Sequence, residues 1–274
     1  MSGAGHFARL DSAGFPPFEP GSVWLVGAGP GAPGLISVLA YHALGKADVI
    51  VYDALVGEGV LAWATPDAEL VHAGKRGGKP SPKQADISLR LIEWARSGRR
   101  VLRLKGGDPF MFGRGGEECQ ALRRAGVPFR IVPGITSGIG GLGYAGIPVT
   151  HRATNRAVIF LTGHDDTGAV PQSVDWAAIA TAAPVIVMFM AVKHLASIAE
   201  RLIAAGRSPA DPLAIVSNAT LPDQSVAVTT LGEAAALGAR EDVPTPAIVV
   251  CGPVVDYRHV LGWFGAAERE NTIG

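Results

Sequence analysis

Short apolar runs, each closed by glycine, proline or an acidic residue, recur through the first half of the chain: VWLVG from Val23, DVIVYD from Asp48, ELVHAG from Glu69, RVLRLKGG from Arg100 and FRIVPG from Phe129. Helix-like stretches separate them, a pattern that restricts this half to repeated βα units and a parallel sheet. The clearest helix start is SPKQADISLRLIEWARSG, where Ser81 can cap, Pro82 suits the first turn, Gln84 completes a capping-box spacing and Gly98 can end the helix. Its Ile87, Leu91, Ile92 and Ala95 form one apolar face.

After Gly134 the texture changes. A small-residue helix, ITSGIGGLGYAG, leads through IPVTHR into a second set of runs: VIFLTG from Val158, PVIVMFMAV from Pro184, PLAIVSNA from Pro212, VAVTTL from Val226 and PAIVVCG from Pro246. Helix-like AVKHLASIAERLIAAG lies between the second and third, so this half is also α/β, with a mixed sheet expected. With 274 residues, 48% of them hydrophobic, each half can enclose its own core. The expected organisation is a flexible tail over residues 1–20, an α/β domain over 21–134 and a second α/β domain over 135–274.

The balance of 24 basic against 24 acidic residues gives no global field to draw the chain onto nucleic acid or an anionic membrane. An anionic partner would have to be held by a local cluster. The opening segment has no apolar run resembling a signal peptide, and Pro184 to Val192 is too short to span a bilayer, so a cytoplasmic protein is expected. Cys119 and Cys251 lack paired spacing, which argues against a disulfide framework and a zinc site. His151 and His164 have no partners at ligand spacing and read as hydrogen-bonded structural residues.

The first run ends in Gly27-Ala28-Gly29-Pro30-Gly31-Ala32, which satisfies the G-x-G-x-x-G/A pattern, with Asp53 at the end of the next run. One reading is a dinucleotide loop, with Asp53 on a ribose, and hence an NAD-dependent oxidoreductase. Pro30 and Pro33 count against it, because they remove amide donors where phosphate should bind. A simple tight turn is the plainer alternative. Three further glycine segments, GKRGGKPS from Gly74, KGGDPFMFGRGGEE from Lys105 and PGITSG from Pro133, would share the carboxyl edge of the sheet, where ligands characteristically bind.

Together GAGPG, the run ending in Asp53, GKRGGKPSPKQ, LKGGDPFMFGRGGEE, VPGITSGIGGLGYAGIPVTHR and LTGH resemble the tetrapyrrole methyltransferase family, from about Val23 to about Val255. The glycine loop and GGDP belong to the wider family, which includes later cobalamin-pathway methyltransferases and diphthine synthase. GKRGGKPS, GRGGEE and VPGITSGIGG narrow the likeness to the branch that methylates uroporphyrinogen III. One departure is Ala32, where the family usually carries an aspartate.

The resemblance implies a class III methyltransferase fold, two α/β domains with an interdomain cleft that holds a folded S-adenosylmethionine, and no metal. It carries cofactor contacts onto Pro30, Gly106, Gly107, Asp108, Met111, Thr136, Ser137, Met190, Ala219 and Ala247. By residue chemistry alone Asp108 could equally be a turn former before Pro109, and Met111 and Met190 could be core residues. The implied reaction methylates uroporphyrinogen III at C2 and C7, giving precorrin-2 through precorrin-1 for sirohaem and cobalamin synthesis, and releases S-adenosylhomocysteine. Asp53 is the implied proton acceptor and Lys75 the implied donor or electrostatic partner. Arg76, Lys79 and Arg114 are candidates for the substrate carboxylates, with Arg152 a weaker one that a solvated surface charge explains equally well. A homodimer is typical of the family. Another precorrin methyltransferase is the nearer alternative to this reaction, and a non-catalytic tetrapyrrole-binding protein of the same fold is disfavoured by the presence of Asp53 and Lys75.

Overall fold

The computed structural model describes residues 14–74, 84–165, 167–238 and 243–265. The chain divides after Thr136 into two compact units, Met1–Thr136 and Ser137–Gly274. All ten apolar runs are strands. In the first unit β1 (Val23–Gly27), β2 (Val49–Tyr52), β3 (Glu69–His72), β4 (Val101–Lys105) and β5 (Phe129–Val132) form one sheet in the order β3-β2-β4-β1-β5. Every pairing in it is parallel.

Strand alternation sorts the side chains between two layers. Trp24, Val26, Ile50, Leu102 and Leu104 meet Ala40, Ala43 and Leu44 of helix Val38–Leu44 on one face. Val23, Leu25, Val49, Val51 and Val101 meet Ile87, Leu91, Ile92 and Ala95 of helix Gln84–Arg96, and Leu122 of helix Gly115–Arg124, on the other. The four residues predicted to line one face of the first of these helices are therefore buried. Its expected cap, Ser81, and Pro82 lie outside the described residues.

Order and handedness of travel fix where the sheet opens. After β1 the chain crosses to β2 on one side, whereas after β4 it crosses to β5 on the other, and β1 and β4 are neighbours. Their carboxyl ends thus form a topological switch point. The two loops leaving them meet in an isolated bridge between Gly29 and Gly107. Here glycine is required: a Cβ on Gly27 would stand 2.5 Å from the Gly107 carbonyl oxygen and from Gly134 Cα, and Gly29 and Gly107 have φ of +75° and +65°.

Packing begins before Gly21, where the globular part was expected to start. Phe18 is 6% exposed and stacks on Trp24 at 4.5 Å between centroids, and its carbonyl accepts from Arg100 Nε at 2.9 Å. An aromatic residue adjoining proline in a glycine-rich opening reads as tail; its partner lies across the sheet face and has no local signature.

The second unit has β6 (Val158–Thr162), β7 (Val185–Phe189), β8 (Pro212–Ser217), β9 (Ser225–Thr230) and β10 (Ala247–Cys251), ordered β6-β7-β10-β8-β9. Only β6 and β7 run parallel, so the sheet is mixed as expected. Helix Leu195–Ala204 buries Leu195, Ile198, Ala199 and Leu202 against it, an i, i+3, i+4, i+7 stripe. Helix Ser137–Tyr144 is rich in glycine, a poor helix former, for a packing reason. A Cβ on Gly138 would meet the Phe189 ring at 2.7 Å, and one on Gly141 would meet Ala219 Cβ at 2.8 Å.

Two substitutions test this architecture. Phe18→Ala should lower unfolding free energy by about 3 kcal/mol in urea titration, whereas a tail residue would cost nothing measurable. Gly134→Ala, whose Cβ would collide with the Gly107 carbonyl and with Gly27, should depress the melting temperature more than Gly126→Ala, because Gly126 has open space around it although its φ is +69°.

Candidate active site

The loops at the carboxyl edge of the first sheet satisfy one another. Ala28 N–H donates to the Lys105 carbonyl at 2.7 Å and Gly29 N–H to the Gly107 carbonyl at 3.2 Å, while Gly107 N–H returns a bond to Gly29 at 2.7 Å. Asp108 completes the junction. Its Oδ2 accepts from Gly134 N–H at 3.0 Å and its Oδ1 from Phe110 N–H at 2.8 Å. Both oxygens of this carboxylate therefore hold backbone, which ties the loop after β4 to the loop after β5.

That arrangement does not suit a pyrophosphate. A dinucleotide loop offers free amides and an open helix N-terminus, but Pro33–Leu35 here forms a short 3-10 turn. The following helix starts only at Val38, where the Ser37 hydroxyl already accepts from Ala40 N–H at 3.1 Å. Around the edge stand exposed apolar side chains on the loops leaving β2, β4 and β5: Leu55, Phe110, Phe112 and Ile135. Met111 is half-buried among them in sequence, as is Pro30, and Thr136 is buried.

Asp53 follows the last residue of β2 and its side chain is 29% exposed. Two cations from β4 hold it: Arg103 Nη2 bonds Oδ1 at 2.5 Å, and Lys105 Nζ stands 3.5 Å from Oδ2. Alternation places Arg103 and Lys105 on the same face of β4, under helices Gln84–Arg96 and Gly115–Arg124. Each helix sends one polar group to meet them. Glu118 is fully buried, and its Oε1 accepts from Arg103 Nε at 3.0 Å, Lys105 Nζ at 3.4 Å and Gln84 Nε2 at 2.8 Å. Burial works against the charge on Arg103, but Glu118 and Asp53 outweigh it and hold the guanidinium above its ordinary pKa.

Sequence reasoning passed over Arg103, Lys105, Glu118 and the true partner of Gln84. The signal was present as two cations spaced i, i+2 in RVLRLKGG, inside a run otherwise apolar enough to be a central strand. The remaining basic candidates fare differently. Arg114 is exposed, takes a left-handed φ of 59° as the residue before helix Gly115–Arg124, and forms a two-point ion pair with Glu117 at 2.8 and 2.7 Å. That bond is the main reason the Glu117 carboxyl lies below its usual pKa. Arg152 is exposed, and Lys75, Arg76 and Lys79 lie outside the described residues.

In the second unit, strand pairing gathers the predicted positions at one end of the sheet. Phe189 pairs with Ile248 and Ser217 with Ala247, so Met190 after β7, Ala219 after β8 and Ala247 at the start of β10 converge. Met190 is 44% exposed with φ of +53°. Ala219 is buried against Gly141, on the helix that Ser137 opens. Both of these histidines are hydrogen-bonded: His151 Nδ1 meets Tyr257 Oη at 2.8 Å and accepts from Ala153 N–H at 3.2 Å, and His164 Nδ1 bonds the Asp165 carbonyl at 2.8 Å. No group of three or more potential metal ligands occurs among the described residues.

A cavity of about 770 Å³ lies at the opposite, amino-terminal edge of the first sheet, lined by Phe15, His42, Lys46, Asp48, Arg99 and Arg100. Its arginines are paired, Arg99 with Glu69 and Arg100 with Asp48, and α/β sheets do not place chemistry at that edge.

Comparison with known proteins identifies the family. Residues 22–235 match the family model of tetrapyrrole (corrin/porphyrin) methylases. The chain is 62% identical over 256 residues to a uroporphyrinogen-III C-methyltransferase of Sinorhizobium sp., covering 93% of this chain and 91% of that protein. It is 46% identical to the siroheme synthase of Neisseria meningitidis serogroup B over 93% of its own length, but spans only 52% of that larger protein. Among solved structures, the uroporphyrin-III C-methyl transferase from Thermus thermophilus complexed with S-adenyl homocysteine superposes with a TM-score of 0.75 at 40% identity, over 86% of this chain and 99% of that one. With the family model covering most of both sheets, and a relative of this similarity matched over nearly its whole length, the chain belongs to the tetrapyrrole methylases.

Proposed function

We propose that this chain is an S-adenosylmethionine-dependent C-methyltransferase that methylates uroporphyrinogen III at C2 and C7, giving precorrin-2 by way of precorrin-1 for sirohaem and cobalamin synthesis. The observation that carries the reading is Asp53, a partly exposed carboxylate gripped by two buried cations at the carboxyl edge of the sheet, one strand from the switch point. The similarity to the Sinorhizobium enzyme supports the choice of substrate, and the adenosyl ligand of the Thermus structure supports the choice of cofactor.

The residues present fit such a cofactor. Glycine backbone at Gly106 and Gly107 permits close approach, and exposed Met190 offers a soft apolar contact beside small Ala219 and Ala247. Pro30, Met111, Thr136 and Ser137 complete the proposed contacts, and Asp108 serves by fixing Gly134 against Gly107. When bound, the sulfonium supplies a methyl group already activated for transfer to carbon. The protein then has to hold an electron-rich pyrrole carbon in line, which is the larger contribution to rate. Asp53 accepts the proton that the macrocycle loses after methylation, and Lys75 is the proposed donor or electrostatic partner. Arg76, Lys79 and Arg114 take the substrate's carboxylates; for Arg114 this means exchanging Glu117 for a ligand carboxylate. A cytoplasmic homodimer goes with this reading.

Asp53→Asn should lower turnover by about a hundredfold or more while leaving S-adenosylhomocysteine affinity near that of the wild type; unchanged turnover would remove the base assignment. Calorimetry separates the oxidoreductase alternative, since S-adenosylhomocysteine should bind and NAD should not. Mass spectrometry after incubation with uroporphyrinogen III should show two added methyl groups, and a product carrying none would refute methylation of this substrate.

A further inference from the structure

Four charged side chains meet at the carboxyl end of β4, and the proposed mechanism uses only one of them. Asp53 reaches solvent; Arg103, Lys105 and Glu118 are 2%, 3% and 0% exposed. Both cations touch both carboxylates, with Asp53 on one side and Glu118 Oε1 on the other. Gln84 adds a third donor to that same oxygen, whereas Glu118 Oε2 is buried without a partner. A side chain chosen only to stabilise the layer could be apolar, because well-packed hydrophobic groups generally replace buried ion pairs without loss.

We propose that Glu118 is a positioning residue for the methyl-transfer reaction: from the helix behind the sheet it balances Arg103 and Lys105, so that Asp53 is held in place and still able to take up a proton. This rests on Asp53 being the proton acceptor. Two cations facing Asp53 alone would leave the set with a net positive charge. One buried anion behind them restores neutrality to the set while both cations keep their hold on the carboxylate. Among the described residues, the helices packed against the cluster carry these further titratable or charged groups nearby: Glu117 and Cys119 on the helix carrying Glu118, and Asp86 and Arg90 on the helix carrying Gln84, the latter two lining a cavity with Val51 and His72.

The test is the pH profile of turnover in the intact protein. Glu118→Gln keeps shape and removes one negative charge, so turnover should fall about tenfold and its acid limb should move down by about one pH unit. Lys105→Met removes a positive charge and should move the limb up by a similar amount. The double variant should bring it back towards the wild-type position. A structural role predicts lost thermal stability with the limb unmoved in each. Should Glu118→Gln fail to fold, Lys105→Met still decides the matter, because an acid limb that stays put in either soluble single variant overturns the proposal, as does a double variant whose limb is displaced as far as that of Lys105→Met. Asp53→Asn is the control that separates the two readings: full activity there refutes the base itself, whereas an inactive Asp53→Asn beside an unmoved limb refutes only the role of Glu118.

Discussion

The close approach of three backbone segments at the ends of β1, β4 and β5 is the constraint on which the first unit depends. A Cβ on Gly27 or on Gly134 would collide with the Gly107 carbonyl and with the other glycine, and Gly107 itself takes a φ of +65°, so the loops interlock only because glycine stands at these positions. Interlocking then determines which polar groups are left for a ligand. The amides of Ala28, Gly29 and Gly107 are used within the protein, and those of Gly134 and Phe110 are taken by Asp108. With these five amides already bonded and exposed leucine, isoleucine and phenylalanine beside them, the edge is poorly matched to a pyrophosphate.

The same sheet solves an electrostatic problem by geometry. Four charges in a nearly dry layer would be costly one at a time, and removing one partner from such a set typically costs about 3–5 kcal/mol. Strand alternation makes the set possible, because Arg103 and Lys105 share a face with Val101 and meet helices that carry Gln84 and Glu118. Asp53 enters from the neighbouring strand, since β2 lies directly beside β4. The carboxylate is thus fixed by the order of strands, through residues far from it in sequence.

This explains which parts could be read in advance. Runs such as VWLVG and PAIVVCG announce themselves as strands because apolar and β-branched residues end abruptly in glycine, and the stripe Ile87, Leu91, Ile92, Ala95 announces a helix by period alone. The mixed character of the second sheet was legible from texture, whereas the order β6-β7-β10-β8-β9 was not, because no local signal tells β10 to insert between β7 and β8. Partners suffered most. Gln84 has the spacing of a capping residue, yet its amide reaches Glu118; Arg114 has the chemistry of an anion ligand, yet it pairs with Glu117; Phe18 looks like tail until Trp24 comes beneath it. For Gln84 and Phe18 the contact is set by the fold and leaves no mark in the neighbouring sequence.

Backbone strain is distributed in a way that the fold alone does not require. Among the described residues, the non-glycine positions with positive φ are Phe112, Arg114, Met190, Asn218 and Thr220. Two follow β4 at the carboxyl edge of the first sheet, and three follow β7 and β8 at the convergent end of the second. Each left-handed residue with a Cβ costs about 1–2 kcal/mol, which glycine would relieve, and glycine is abundant in the adjoining loops. Folding is served equally well by glycine at Met190, whose side chain is 44% exposed and so adds little to the core. What glycine could not supply is the thioether itself, carried on a left-handed residue directly after β7. Residues of this kind therefore collect in the loop after β4 in the first unit and in the loops after β7 and β8 in the second, the loop ends where such conformations are held by the structure around them.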